Sequence, residues 1–417
     1  MKRSISLFLF TILFLLFGYT KGFAIEQLTV SKITRISHPV YRAGNLWYGV
    51  RDPWNRDYTR IMLYENTSYT DPGTGKKGRG MVWGFINNLK NWSTLTEYES
   101  AAKPFPKNSY WAATSLYWSP FPGEENIIYG IYTSDKTVSK LNVDTGVITP
   151  IISYDPGDGT SVSTARSFGW TTDNKLVVNF DNENFASGGY EIDVQTRTRV
   201  RYSSPAWARW PQTGHGHGHK SPDRLYNADY VSYSGQNLYG VVKLSNNERF
   251  LDKARFDQIA PVNHVSWKAS NDWYLGSGVT WKYGPNAPAL FTKGLFQIIF
   301  DRTNNKFTYN TLFTFEGPAQ WWDETKQEWV YNWHTHPLAT LRSDGFQVFF
   351  TSTDGKFSYD DYQRRGVTPW GTEGYFLADL ISASSPTPPP PPPPPPPAPT
   401  PPPPAPTPTP GAPSLNP

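Results

Sequence analysis

Cysteine is absent from this chain of 417 residues, and its absence excludes disulfides and thiolate-held metals together. Any metal has to be bound by imidazole, carboxylate or amide groups. An excess of one charge is missing too. Lys and Arg number 39 against 35 Asp and Glu, and removing Lys2, Arg3 and Lys21 from the N-terminal segment takes the formal charge from +4 to +1. No overall field remains to favour nucleic acid or an anionic membrane. Long hydrophobic runs are lacking, so no transmembrane segment is expected. A serine nucleophile elbow, a P-loop, a dinucleotide fingerprint and an HExxH zinc motif are all missing. No two of the acidic residues stand out as the paired carboxylates of a glycosidase.

What is present begins with a leader. Lys2 and Arg3 precede the short apolar run LFLFTILFLLF, and GFA ends at Ala24 with small residues at the positions a signal peptidase reads. Residues 1–24 are expected to be a signal peptide, and the mature chain to be secreted to the medium, the periplasm or the cell surface. At the other end, after GYFLADL (374–380), the sequence turns into a proline tract. Such a tract forms an extended polyproline spacer and cannot pack a core. Residues 382–417 therefore read as a linker or tail, suited to surface attachment or to carrying a further domain. A single folded domain is left at 25–381.

That domain reads as all-β. It is rich in aromatics (17 Trp, 25 Tyr, 24 Phe), and its short runs, such as NIIYGIY, KLVVNF, LFQIIFD and FQVFFTS, are separated by polar turns. A phrase recurs: SHPVYRAGNLWYGV (37–50), SLYWSPFPGEENIIYG (115–130), SFGWTTDNKLVVN (167–179), HGHKSPDRLYNADYV (217–231), HVSWKASNDWYLG (264–276) and HTHPLATLRSDGFQVFF (334–350). Tyr41, Trp118, Trp170, Lys220, Trp267 and Ala339 align as equivalents. A period of about 50 residues with four strands per unit is the mark of a β-propeller. Six copies are visible, and the length of the domain favours seven blades.

The seven histidines follow this register. Three residues before the aligned positions stand His38, Ser115, Ser167, His217, His264 and His336, and His215, His219 and His334 lie within two residues of that point. Strand alternation would put His215, His217 and His219 on one side of an extended run. Equivalent ends of innermost strands converge on a propeller's axis, so the histidines are expected to cluster at the mouth of the channel. Imidazole there can ligate a divalent metal or abstract a proton near neutral pH. A metal beside a base suits removal of a proton α to a carboxylate, because the ion stabilises the charge that develops.

The sequence GHGHKSPD, then HVSW, then HTHP with SDGFQVFFTS resembles the oligogalacturonate lyases, propeller enzymes that cleave uronic-acid oligosaccharides by β-elimination. The resemblance covers much of residues 210–355. It implies that His264, His334 and His336 bind a divalent ion, Mn²⁺-like with Zn²⁺ or Ca²⁺ as alternatives, and that His217 or His219 is the general base. The family's glutamine ligand falls on Tyr331 here, with Gln320, Asp323 or Gln327 as substitutes. A uronate substrate also calls for cations, and Arg166 and Arg209 are candidates. Trp333, with Trp321 and Trp322, could form a sugar platform. The partner expected is an acidic polysaccharide or oligosaccharide. The competing expectation is a non-catalytic glycan-binding or adhesion propeller displayed on the proline stalk.

Overall fold

Strand-forming runs of β-branched and aromatic residues, each closed by a turn at Asn, Asp, Ser or Gly, set the architecture. The computed structural model describes residues 27–38, 41–43, 52–67, 74–78, 82–87, 94–106, 111–163, 165–180, 188–202, 212–213, 218–233, 236–251, 262–279, 291–317, 320–323, 328–331, 339–352 and 374–382. The chain opens with β1 (Leu28–Arg35) and then forms a first sheet from β2 (Tyr41–Ala43), β3 (Arg60–Thr67), β4 (Val82–Asn87) and β5 (Ala102–Pro104). Before β5 comes the short helix α1 (Leu95–Ala101), whose start is fixed by Thr94 accepting from the backbone N–H of Glu97 at 3.1 Å.

The second sheet is β6 (Trp111–Trp118), β7 (Ile127–Tyr132), β8 (Thr137–Asn142) and β9 (Ile148–Ser153). The third is β10 (Arg166–Trp170), β11 (Leu176–Asn179), β12 (Gly189–Asp193) and β13 (Thr198–Tyr202). The fourth adds a short inner strand, in the order β14 (Gln212–Thr213), β15 (Gly218–Lys220), β16 (Tyr226–Tyr233), β17 (Gln236–Lys243) and β18 (Glu248–Phe250). The fifth is β19 (Val262–Ser266), β20 (Trp273–Val279), β21 (Phe291–Asp301) and β22 (Lys306–Gly317). A separate hairpin, β23 (Gln320–Asp323) with β24 (Glu328–Tyr331), leads to β25 (Thr340–Leu341), β26 (Gln347–Ser352) and β27 (Gly374–Ser382). These last three strands take β1 as their outer fourth, so the two ends of the domain share one sheet.

The result is a six-bladed propeller of antiparallel sheets, not the seven blades that domain length favoured. Chain length overcounted because some units are long. In blade 5, β21 and β22 run to 11 and 12 residues, and the β23–β24 hairpin belongs to no blade.

The register also differs at two of its six points. In five blades, the residue after the end of the inner strand bonds back across the turn: Asn55 to Arg60, Ser119 to Ile127, Thr171 to Lys175, Ser221 to Tyr226 and Arg342 to Gln347. The equivalents are therefore Trp54, Trp118, Trp170, Lys220 and Leu341. In blade 5 the pairing of Ser266 with Leu275 puts Trp267 at the same place. Tyr41 pairs with Thr67, whereas Trp54 pairs with Ile61 further along the same neighbour, so an insertion interrupts this inner strand. Ala339 lies two residues short of Leu341. Counting back three residues now gives Arg51, Ser115, Ser167, His217, His264 and Leu338, and His38 and His336 leave the shared position.

Blades are joined by apolar packing and by a repeated polar tie. Tyr129 of blade 2 and Trp170 of blade 3 meet edge to face, with centroids 5.4 Å apart. The indole N–H of Trp118 donates to Pro53 O of blade 1 at 2.7 Å, and that of Trp170 to Trp118 O at 3.0 Å. In the other direction a side chain accepts from the next blade's backbone. Ser115 Oγ takes the N–H of Ser167 at 2.9 Å, and Ser266 Oγ that of Leu341 at 3.0 Å.

Candidate functional site

His219 belongs to this set of ties. It lies in β15 with 4 % of its surface exposed, and its Nδ1 accepts the backbone N–H of Trp267 at 2.7 Å. Burial holds its pKa well below the ordinary value, and the nearby cations Lys268, Arg224 and Lys220 act in the same direction. Accepting at Nδ1 requires a lone pair there, so the neutral ring carries its proton on Nε2. Gln212 pairs with His219 and Thr213 with Gly218, an antiparallel pairing of β14 with β15. His215 and His217, the other members of the expected extended run, lie outside the described residues.

The other sequence-derived candidates divide in the same way. His264 lies in β19, its backbone paired with Ser277 of β20. Arg166 opens β10 opposite Asn179 and is half-buried. Tyr331 ends β24 opposite Gln320, so one of the glutamines considered as a substitute ligand is its cross-strand neighbour. Trp321 pairs with Val330, Trp322 with Trp329 and Asp323 with Glu328. Arg209, Gln327, Trp333, His334 and His336 lie outside the described residues. His38 is buried, its carbonyl accepts from Tyr41 N at 2.8 Å, and its ring centroid is 6.2 Å from that of Tyr98. Among the described residues no three His, Asp or Glu side chains group to hold a metal.

A polar group that the sequence reading did not single out occupies the C-terminal ends of the inner strands. Lys268 follows Trp267 in blade 5. Its Nζ donates to Thr340 Oγ1 of blade 6 at 2.9 Å and lies 3.7 Å from Asp52 Oδ2 of blade 1. Ser266 Oγ is 3.5 Å from the same threonine hydroxyl. Burial raises the pKa of Asp52, opposed by Lys268, and burial lowers that of Lys268, opposed by Asp52. Although 41 % of the Asp52 side chain is exposed, its Oδ1 is buried and has no hydrogen-bond partner among the described residues. Arg342 is held by Asp344, with Nε to Oδ1 at 2.9 Å and Nη2 to Oδ2 at 2.8 Å. One signal did mark this group. The position after the inner strand is Asn, Ser, Thr or Ser in blades 1 to 4, where it closes the turn, and Lys268 breaks that rule. Its partners lie more than 70 residues away in sequence, and no local pattern links them.

Among solved structures, the fold is similar to an oligogalacturonate lyase from Vibrio parahaemolyticus, at 12 % identity and TM-score 0.47 over 85 % of this chain and 96 % of that one. It is also similar to an oligogalacturonate lyase in complex with manganese, at 9 % identity and TM-score 0.38 over 85 % of this chain and 95 % of the other. A calcium-binding regucalcin from Agrobacterium tumefaciens matches at 12 % identity and TM-score 0.38, over 83 % and 94 % of the two chains. The likeness is one of fold. No family model matches the sequence, and no curated protein matches it.

Proposed function

We propose that this protein is a secreted lyase that cleaves a uronate-containing polysaccharide or oligosaccharide by β-elimination, with histidine as the base. One observation carries the reading: β15, β19 and β25 are inner strands of three consecutive blades; His264 lies in β19, and in the sequence His217 directly precedes β15 and His334 and His336 stand four to six residues before β25. His217 takes the proton from the carbon next to the carboxylate. Of the two base candidates it is preferred, because the Nδ1 lone pair of His219 is already engaged by Trp267. The imidazoles of His264, His334 and His336 form a donor set suited to a divalent, Mn²⁺-like ion, whose charge would neutralise the uronate carboxylate. Arg166 and Arg209 supply further positive charge, and Trp333 a stacking face.

The signal-peptide reading of residues 1–24 supports secretion, and no helix among the described residues is long and apolar enough to cross a membrane. The proline tract then serves as a stalk for attachment or for a further domain. Tyr331, standing where the resemblance calls for glutamine, favours the second reading, a non-catalytic glycan-binding propeller on that stalk.

The two readings part on one assay. The full chain, supplied with Mn²⁺, is incubated with pectic, alginate, ulvan and glycosaminoglycan substrates. Ultraviolet absorbance from the new double bond supports the lyase. Binding to one of these glycans without any such product would establish the binding module instead.

A further inference from the structure

We propose that Tyr58 is a latch that holds the ring closed between blade 1 and blade 6, and that its strained backbone is retained for this purpose. The proposal stands apart from the function proposed above.

The turn after the inner strand has one construction in four blades. Its fourth residue donates back to its first: Tyr58 N to Asn55 O at 3.0 Å, Asn174 N to Thr171 O at 3.0 Å, Arg224 N to Ser221 O at 2.9 Å and Gly345 N to Arg342 O at 2.9 Å. That fourth residue is left-handed in every case, with φ of +60°, +58°, +60° and +83°. Asn and Gly adopt this conformation readily, whereas a bulky side chain such as tyrosine is disfavoured there. The turn itself does not require tyrosine, since Asn174 and Gly345 serve in the same slot. An outlier of this kind persists where contacts beyond the turn hold it.

Two such contacts cross the ring closure. The Tyr58 hydroxyl is hydrogen-bonded to Ser343 Oγ in the corresponding turn of blade 6. The guanidinium of Arg342, from the same turn, lies over the Tyr58 ring at 4.8 Å from its centroid and is itself fixed by Asp344. Beside them Trp54 Nε1 of blade 1 donates to Gln347 Oε1 of blade 6 at 3.2 Å. The position matters because of how blade 6 is built. Its outer strand, β1, comes from the opposite end of the domain, so the ring is closed by the pairing of β1 with β27 and not by the chain. Ser343 and Arg342 follow β25, in the C-terminal part of blade 6. Tyr58 therefore grips that part directly from blade 1, in parallel with the β1–β27 pairing.

The test compares Tyr58→Asn, which gives blade 1 the residue that blade 3 uses, with Tyr58→Phe and Ser343→Ala. Unfolding rates in denaturant and native-state hydrogen exchange are read on the full chain. Tyr58→Asn relieves the strain, so if tyrosine served the turn alone, this variant would unfold no faster than wild type. A lost latch should instead speed unfolding by about 10-fold. Tyr58→Phe and Ser343→Ala should each unfold roughly 3- to 10-fold faster, and the double variant no faster than either, because all three lose the same hydrogen bond. In Tyr58→Asn, exchange should rise for amides of β1 and β27 while those of β11 and β12 in blade 3 keep wild-type protection. A wild-type unfolding rate in Tyr58→Asn would overturn the latch. So would effects that add in the double variant, or exchange that rises equally in all blades.

Discussion

At the scale of single residues, His219 shows how far a histidine's sequence context can mislead. Its neighbours in GHGHGH read as a ligand or base cluster, yet its ring ties blade 4 to blade 5 through Trp267 N. Sequence shows where a histidine stands but not whether its lone pair is already engaged. Its folded pKa is depressed below the ordinary 6.5 by burial, so the folded state binds fewer protons than the unfolded one. Its contribution is therefore complete above about pH 6.5 and is lost as pH falls towards the folded value, by about 1.4 kcal/mol per pH unit. Denaturant melts at several pH values should show this slope in wild type and its loss in His219→Asn, which keeps an acceptor but cannot titrate. His219→Ala should cost about 1–3 kcal/mol at neutral pH from the stranded Trp267 N–H. Equal slopes in wild type and the asparagine variant would refute the assignment. The proposed reaction makes a separate demand on the other histidines. His217→Ala should abolish turnover while bound Mn²⁺, read by elemental analysis, stays unchanged, and His334→Ala should lose metal and turnover together. Full metal occupancy in His334→Ala would sink the ligand set.

At the scale of elements, the repeat was legible because the blades reuse one local solution: an inner strand, a polar turn closed by Asn, Ser or Thr in blades 1 to 4, and a buried second strand. Four of the six expected equivalents, Trp118, Trp170, Lys220 and Trp267, hold on that basis. Tyr41 and Ala339 do not, because an insertion inside the inner strand of blade 1 and a two-residue offset in blade 6 shift the alignment without altering the phrase. The ties between blades were not legible, since a serine such as Ser115 looks in sequence like any strand serine. In the fold it is fully buried and accepts from Ser167 N. Ser115→Ala should therefore cost about 1–3 kcal/mol, more than a surface serine, by stranding a buried N–H. Ser266→Ala should cost a similar amount through Leu341 N and also loosen Thr340. Chemical denaturation of the two single variants and the double variant checks this. The ties lie in different interfaces, so the costs should add. A loss below about 0.5 kcal/mol in both single variants would show that the ties are incidental.

At the scale of the whole molecule, the ring is held shut by a seam between the two ends of the domain. β1 pairs with β27 from Leu28 opposite Ser382 to Arg35 opposite Phe376. The start of β1 is pinned from blade 5: Leu28 N donates to buried Gln297 Oε1 at 3.0 Å, and Asn310 Nδ2 donates to Leu28 O at 2.6 Å. Tyr375 fastens the seam to blade 1, its hydroxyl accepting from Tyr64 N and its backbone N–H donating to Ser37 Oγ. The polar group of Asp52, Lys268 and Thr340 joins blades 1, 5 and 6 and so depends on this closure, which explains why no stretch of sequence announced it. If the seam is where the ring first opens, joining it covalently should slow unfolding more than any change within a blade. The chain has no cysteine of its own, so a new pair cannot mispair with native thiols. Thr29 and Ile381 are direct cross-strand partners at the rim of the sheet. Antiparallel partners lie about 4.5–5.5 Å apart at Cα, within disulfide reach. Thr29→Cys with Ile381→Cys should form a bond under mild oxidation and stabilise the protein by up to about 5 kcal/mol, as expected for so long a closed loop. Unfolding rates in denaturant, with and without reductant, give the readout. The oxidised form should unfold much more slowly than the reduced form, and the reduced form should match wild type. Equal unfolding rates for the two forms, once the bond is confirmed by mass, would mean that the ring opens elsewhere first.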